Sequence, residues 1–209
     1  MTSYLTLARD ATGVVEDRGS RFVCHVARVA DEDAARALVA RLRREHGDAR
    51  HHCSAFVLGP RGELQRASDD GEPAGTAGAP MLEVLRGAGV SDVAAVVSRW
   101  FGGTLLGAGG LVRAYGDAVR AALAEAGTLR RTLVTELALE LDHADAGRVE
   151  GDLRGRGVGV LEVTYGEHVR LLLASAPDEV DRVGEVVAAA TGGGAVPEVV
   201  GERWVDLSG

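Results

Sequence analysis

The sequence predicts an α+β protein built from two domains. Through residue 126, short stretches that alternate apolar and polar residues are interleaved with longer ones repeating every three to four positions, so strands and helices share one chain region. Beyond it the two periods recur in the order βαββαβ, the split unit of a ferredoxin-like domain. Between them, in "GTLRR" at 127–131, an Ala-rich helical pattern stops at a glycine and a strand-like pattern begins. This places the boundary after residue 128 and gives domains 1–128 and 129–209.

In the first domain, "YLTLA" and "RFVCHVARV" alternate as strands expected to pair with or neighbour each other, with "TGVVEDRGS" between them read as turn-rich. "DEDAARALVARLRREHG" opens on acids, keeps Ala35, Leu38, Val39 and Leu42 on one face, and closes on basic residues before Gly47, the charge order that a helix dipole favours. "HHCSAFVLGP" reads as a strand paired with "RGELQRA" across the Pro60 to Gly62 turn. Pro80 suits the first position of a helix carrying Met81, Leu82, Val84 and Leu85, with Gly87 or Gly89 as its stop. "DVAAVVSRWF" is a β-branched strand, and Leu111 to Ala126 is the last helix, so the sheet is mainly antiparallel.

The second domain reads "LVTELALELD" (strand), "DAGRVEGDLRGRG" (helix), "VGVLEVTY" (strand), "VRLLLAS" (strand), "PDEVDRVGEVVAAAT" (helix) and "VPEVVGERWVDL" (strand). Ser175 and Asp178 have capping-box spacing for its second helix.

All 23 basic residues are arginine, which excludes Schiff-base chemistry and lysine-dependent phosphate loops. The net charge of -8 is unevenly spread: residues 1–128 carry 15 Arg against 16 acids, whereas 129–209 carry 8 against 15. No apolar run approaches the roughly 20 residues that span a bilayer, and the N-terminal residues lack a signal-peptide layout, so a cytoplasmic protein without a membrane association is expected. Cys24 and Cys53 have no bridging or metal-knuckle spacing and read as small hydrophobes in a reducing compartment.

Two segments carry the candidate chemistry. In "SDDGEPAGTAGAP", 68–80, Ser68, Asp69, Asp70, Gly71 and Glu72 precede Gly75, Thr76 and Gly78. Clustered carboxylates are suited to Mg²⁺ or acid–base work, but equally to accepting backbone N–H groups in an Asx-type turn that binds nothing. A third use is an anion seat, since glycine amides ahead of a helix lie at its positive end. In "SRWFGGTLLGAGGLVRAY", 98–115, a strand runs through Gly102, Gly103, Gly107, Gly109 and Gly110 into a helix. The Walker pattern fails for want of a lysine, and the dinucleotide fingerprint fails because Val112 stands where its third glycine belongs. What remains is an amide-rich loop with Arg99 and Arg113 at its ends, suited to phosphate or carboxylate, or else to pairing with Asp69, Asp70 or Glu72 as one structural network.

Arg41, Arg43, Arg44, His46, Arg50, His51 and His52 form a basic run that reads as a solvated helix end or as a nucleic-acid face. His51 and Cys53 share a strand face, but no second ligand cluster accompanies them, so no metal site and no cofactor is expected.

"SRF" at 20–22, followed by these two segments in this order and spacing, closely resembles the YigZ/IMPACT family, across roughly residues 10–126 for the first domain. The resemblance implies a ribosomal protein S-five domain-two-like fold there and, for the remainder, a domain similar to domain V of elongation factor G. It also implies a role in translation: eukaryotic relatives act in translational control by competing for the activator of a stress-responsive initiation-factor kinase, and for bacterial members the usual inference is nucleic-acid or ribosome association, without an established reaction. The signature segments carry over to Ser68 through Pro80 and Arg99 through Tyr115, with Trp100 where an aromatic residue is usual. The chain departs from its relatives in its lack of lysine and its acidic second domain, which at -7 repels phosphate.

Three functions follow. The first is a non-catalytic translation-associated regulator whose first domain binds RNA, ribosome or a ribosome-bound protein, with Arg99 and Arg113 on phosphate or carboxylate and Trp100 or Phe101 stacking on a base. The second is a Mg²⁺-dependent enzyme, or a binder of a phosphorylated small molecule, using the acidic loop. The third is a protein-interaction module in which the acidic domain takes a basic partner.

Overall fold

The structure, a computed structural model, describes residues 2–207. It divides into two compact units, one ending at Arg131 and the other spanning Thr132–Asp206.

The first unit contains β1 (Ser3–Leu7), β2 (Ala11–Asp17), β3 (Ser20–Arg28), α1 (Glu32–Glu45), β4 (His51–Leu58), β5 (Leu64–Ser68), α2 (Gly78–Gly87), β6 (Val93–Trp100) and α3 (Gly107–Ala126). Five strands form one sheet in the order β2-β3-β6-β4-β5, with every pair antiparallel. The central strand β6 is buried on both faces, which explains its unbroken run of Val and Ala. Val93, Ala95 and Val97 face Met81 and Leu85 of α2 and Leu111, Tyr115, Ala118 and Ala122 of α3. Ala94 and Val96 face Ala35, Leu38 and Leu42 of α1. Asp31 caps α1, its Oδ1 accepting the Ala34 N–H at 2.8 Å.

Several expectations change. "TGVVED" is the strand β2 and not a turn; only Arg18 and Gly19, both at positive φ, turn the chain between the paired Asp17 and Ser20. This two-residue primed hairpin matches strand twist and suits glycine. "YLTLA" does not pair with β3, whose neighbours are β2 and β6. Helix α3 starts at Gly107, so the second glycine cluster is its first turn and not a loop. Polar and glycine residues hid both elements because packing overrides local preference: Gly13 of β2 lies against the α3 backbone, where a Cβ would stand 2.3 Å from the Ala122 nitrogen.

The second unit carries most of β7 (Thr128–Leu141), then α4 (His143–Gly155), β8 (Gly159–Tyr165), β9 (Val169–Ser175), α5 (Val180–Thr191) and β10 (Glu198–Leu207). β9 lies between β7 and β8, antiparallel to both, and β10 pairs with β7, giving the ferredoxin-like arrangement read from the sequence. Leu137, Leu139 and Leu141 of β7 and Leu171 and Leu173 of β9 pack with Val149 and Leu153 of α4 and Val183 and Val187 of α5. The expected capping box is absent: Glu179 occupies the cap position of α5 without a side-chain bond, and the Ser175 hydroxyl donates to the Ala176 carbonyl instead.

Candidate functional site: a groove between the two glycine-rich segments

At one end of the first sheet, antiparallel register sets Phe22 of β3 and His51 of β4 on either side of Arg99 of β6. Residues directly opposite across antiparallel strands share a face. All three point to the α2/α3 side, and there the acidic segment meets them.

Each acid of that segment has a different occupation. Asp69 and Glu72 close a tight turn, the Glu72 N–H donating to the Asp69 carbonyl at 2.9 Å, with Asp70 and Gly71 both at positive φ, the conformation that an Asp-Gly pair suits. The Asp69 carboxylate accepts the N–H groups of Gly75 (2.8 Å), Ala77 (3.1 Å) and Gly78 (2.8 Å), capping α2 from outside the helix. Burial pushes its pKa up, but the three N–H donors outweigh this and hold it below the usual carboxylate range. Asp70 accepts from Arg43 at 2.8 Å and from the His52 N–H at 2.6 Å. Glu72 turns inward, its side chain 3% exposed, and one oxygen accepts from Arg99 Nη1 at 2.6 Å and from the Tyr115 hydroxyl at 2.7 Å. Burial, with Cys53 and Glu72 nearby, pushes the Tyr115 hydroxyl far up, so it remains a donor. Burial likewise raises the Cys53 thiol to about 12.

The sequence left open whether the acids meet a ligand or the arginines. Arg99 does pair with Glu72, while Arg113 is exposed on α3 with no partner among the described residues. Asp70 takes Arg43 instead, a cation on α1 that no local pattern marks.

Beside this network lies a groove of about 340 Å³, lined in part by Arg50, His51, Glu72, Arg99, Phe101 and the first turn of α3 at Gly107. Arg99 stacks its guanidinium 5.3 Å from the Phe22 ring centre and 5.8 Å from that of Phe101. Phe101 and Leu105 stand 43% and 81% exposed. His51 Nδ1 is 2.8 Å from the Asp70 carbonyl, which only accepts, so Nδ1 carries the proton, and Nε2 lies 3.9 Å from Glu72 Oε1.

The remaining candidates divide. Gly102 is required by close approach, since a Cβ there would meet the Gly19 carbonyl carbon at 1.9 Å, and its N–H donates to the Ser20 hydroxyl at 3.1 Å. Gly78 is likewise required, since a Cβ there would stand 2.8 Å from the Ser68 nitrogen. Thr76 donates to the Pro73 carbonyl at 2.6 Å and supports the loop. Gly75, Gly103 and Gly107 have positive φ with open space where a side chain would start, Gly109 has open space alone, and Gly110 abuts Leu106. Ser68 is exposed at the end of β5. Trp100 alternates to the opposite face of the sheet, where its Nε1 donates to Asp48 at 2.9 Å and its ring meets His46, so it does not join the groove. Arg50 and Leu105 were missed as groove residues; the strand alternation already placed His51 on the Cys53 face.

No group of three or more metal-capable side chains converges among the described residues, and none of their helices is long and apolar enough to cross a membrane.

Residues 18–123 match the Impact N-terminal domain, and residues 139–193 match a domain of unknown function, DUF1949. The chain is 44% identical over 176 residues to the IMPACT family member YigZ of Escherichia coli, covering 83% of this chain and 86% of that one. To the IMPACT family member YvyE of Bacillus subtilis it is 41% identical over 167 residues, 80% and 77% of the two chains. A crystal structure described as that of a hypothetical protein, 40% identical, aligns over 96% of this chain and 98% of its own with a TM-score of 0.67. With this agreement in sequence and fold along most of its length, the chain belongs to the IMPACT family.

Proposed function

We propose that this protein is a non-catalytic, translation-associated regulator whose first unit binds RNA, free or on the ribosome, through the face that carries the groove. The observation behind this reading is the convergence of Arg50, the buried Arg99, the exposed Phe101 and the N-terminal turn of α3 on one groove. Arginine and a helix N-terminus meet phosphate, and an exposed ring meets a base. The near-neutral first domain and the -7 second domain favour a contact through the first. The translational context follows from what the family resemblance implies. The Mg²⁺-dependent alternative finds less support, because Asp69, Asp70 and Glu72 are each already accepting from protein donors.

The test is co-sedimentation with ribosomes at low and raised salt, comparing the wild type with Arg50→Gln/Arg113→Gln. Both side chains are exposed and unpaired among the described residues, so stability should move by no more than about 0.5 kcal/mol. The wild type is expected in the ribosomal fraction at low salt, and the double variant should be depleted and less salt-sensitive, by about 0.7 of a log unit per log unit of salt for each phosphate no longer neutralised. Absence of the wild type from every ribosomal fraction at low salt, together with no binding to free RNA, rejects the reading.

A further inference from the structure

We infer that a second groove of the first unit, lined by Arg61, Arg86 and Arg130, is the seat of a diphosphate group, such as a nucleotide or the triphosphorylated end of an RNA presents. It shares no lining residue with the groove beside Arg99 and does not depend on RNA binding there.

The groove, of about 370 Å³, lies between the start of β1, the turn from β4 to β5 and the segment that follows α2. Leu5, Val57 and Val90 give it an apolar floor, and among the described residues that line it there are three arginines and no carboxylate. That reverses the balance of a chain with 23 basic and 31 acidic residues. Among the described residues the Arg61 side chain has no partner, and Arg130 meets only a neutral one, its Nη1 donating to the Ser3 hydroxyl at 3.0 Å. Arg86 pairs with Glu83 at 2.8 Å on the open surface, where such pairs contribute little and exchange for a stronger anion. Like charges that face one cavity repel, and its low-dielectric walls focus their field, so an anion from outside is what relieves them.

The frame is fixed before a ligand arrives. In the turn that carries Arg61, the Gly62 N–H donates to the Gly59 carbonyl at 2.8 Å, Gln65 Nε2 to the Gly62 carbonyl at 2.9 Å and the Arg61 N–H to Glu63 at 3.0 Å. Asp92 accepts the Gly59 N–H at 2.9 Å and the Ser91 hydroxyl donates to the Gly59 carbonyl, which fastens the turn to the segment after α2. The Ser91 N–H in turn donates to the Leu5 carbonyl of β1 at 2.9 Å. Binding therefore orders little beyond the arginine side chains. Their number selects the anion. A carboxylate or a phosphodiester supplies one charge, whereas a diphosphate supplies about as many as the groove has guanidiniums, on oxygens that suit planar N–H forks. Tyr4, the one aromatic residue of the lining, is 4% exposed and leaves no ring for a base, so the phosphates are what the groove reads. A cleft of about 380 Å³ in the second unit offers less, because its His168 pairs with Asp142 and its Arg148 with Asp145.

The experiment measures binding of pyrophosphate, ADP, orthophosphate, citrate and one oligoribonucleotide, with a 5′-triphosphate or a 5′-hydroxyl end, to the full-length chain in buffer free of divalent cations. Pyrophosphate and ADP should bind about tenfold or more tighter than orthophosphate or citrate. Arg61→Gln/Arg130→Gln should weaken both by about tenfold or more with an unchanged urea midpoint, since both side chains are exposed. Arg66→Gln is the control. Arg66 stands opposite Phe56, on the α1 face of the sheet and outside the groove, and its loss removes the same charge without changing either affinity. Tighter binding of ADP than of the triphosphorylated oligoribonucleotide assigns the diphosphate to a nucleotide, and the reverse order assigns it to an RNA end. No binding of pyrophosphate or ADP, or equal losses in Arg66→Gln and the double variant, overturns the seat. Citrate bound as tightly as pyrophosphate overturns it in favour of a carboxylate ligand, and tighter binding of the 5′-hydroxyl oligoribonucleotide than of pyrophosphate overturns it in favour of an RNA backbone. The RNA-binding reading fails separately, in the sedimentation of Arg50→Gln/Arg113→Gln.

Discussion

Glu72 and Arg99, 27 residues apart in the chain, form an ion pair of 2.6 Å in which each side chain is less than a tenth exposed. Removing one member of such a pair leaves an uncompensated buried charge. Glu72→Ala should therefore cost about 3 kcal/mol or more in urea denaturation, and Glu72→Met/Arg99→Met should recover most of it, because no charge is then stranded. Wild-type stability in Glu72→Ala alone is incompatible with the pair.

Asp69 holds the start of α2 by accepting the Gly75, Ala77 and Gly78 N–H groups. Asp69→Ala should cost about 1 kcal/mol at neutral pH, as lost helix caps do. Because the folded pKa lies below the unfolded one, the stabilisation is present above the ordinary carboxylate pKa and disappears as pH falls through the folded value. The gap between wild type and variant in urea midpoint should be full at about pH 7 and shrink below about pH 4. A gap that widens on acidification contradicts the three-donor arrangement.

Two glycines seven residues apart should respond with opposite sign. At Gly102 a methyl group would overlap the Gly19–Ser20 backbone, so Gly102→Ala should cost about 2 kcal/mol or more. At Gly109, in the first turn of α3, nothing lies within 4 Å, and Gly109→Ala should gain about 0.5 kcal/mol from restricting the unfolded chain. Thermal melts of the two variants decide it. Equal losses would mean that the whole cluster is constrained by packing.

The two thiols should be silent in the native state. Both Cys24 and Cys53 are buried, and burial holds Cys53 at about 12 and Cys24 well above the ordinary thiol range. At about pH 8, roughly one Cys53 in ten thousand is a thiolate, so a disulfide reagent should label neither residue until denaturant is added. Fast labelling of either one in the native protein contradicts its burial.

Much of the fold was legible in the chain because period and turn chemistry act locally. The alternation of "RFVCHVARV", the amphipathic run from Glu32, and the βαββαβ order after residue 131 are read from neighbours alone, since one face of each element meets a core. The strand β2 escaped notice because its Gly13 and charged ends mimic a turn, and only the α3 backbone pressed against that glycine explains it. The start of α3 escaped for a related reason: Gly107, Gly109 and Gly110 lower helix propensity, and the helix forms there nonetheless.

The site shows the same division more sharply. Asp70-Gly71 announces a tight turn from composition, and the two glycine-rich segments announce themselves as a pair. What each carboxylate does was decided only in three dimensions. Register across β3, β6 and β4 set Phe22, Arg99 and His51 in one row, put Trp100 on the opposite face, and brought Glu72 onto Arg99 from a loop far away in sequence. Local sequence specifies turns and periods because those depend on backbone sterics over a few residues. It does not specify which acid meets which arginine, because that depends on strand register and helix docking, to which the whole core contributes.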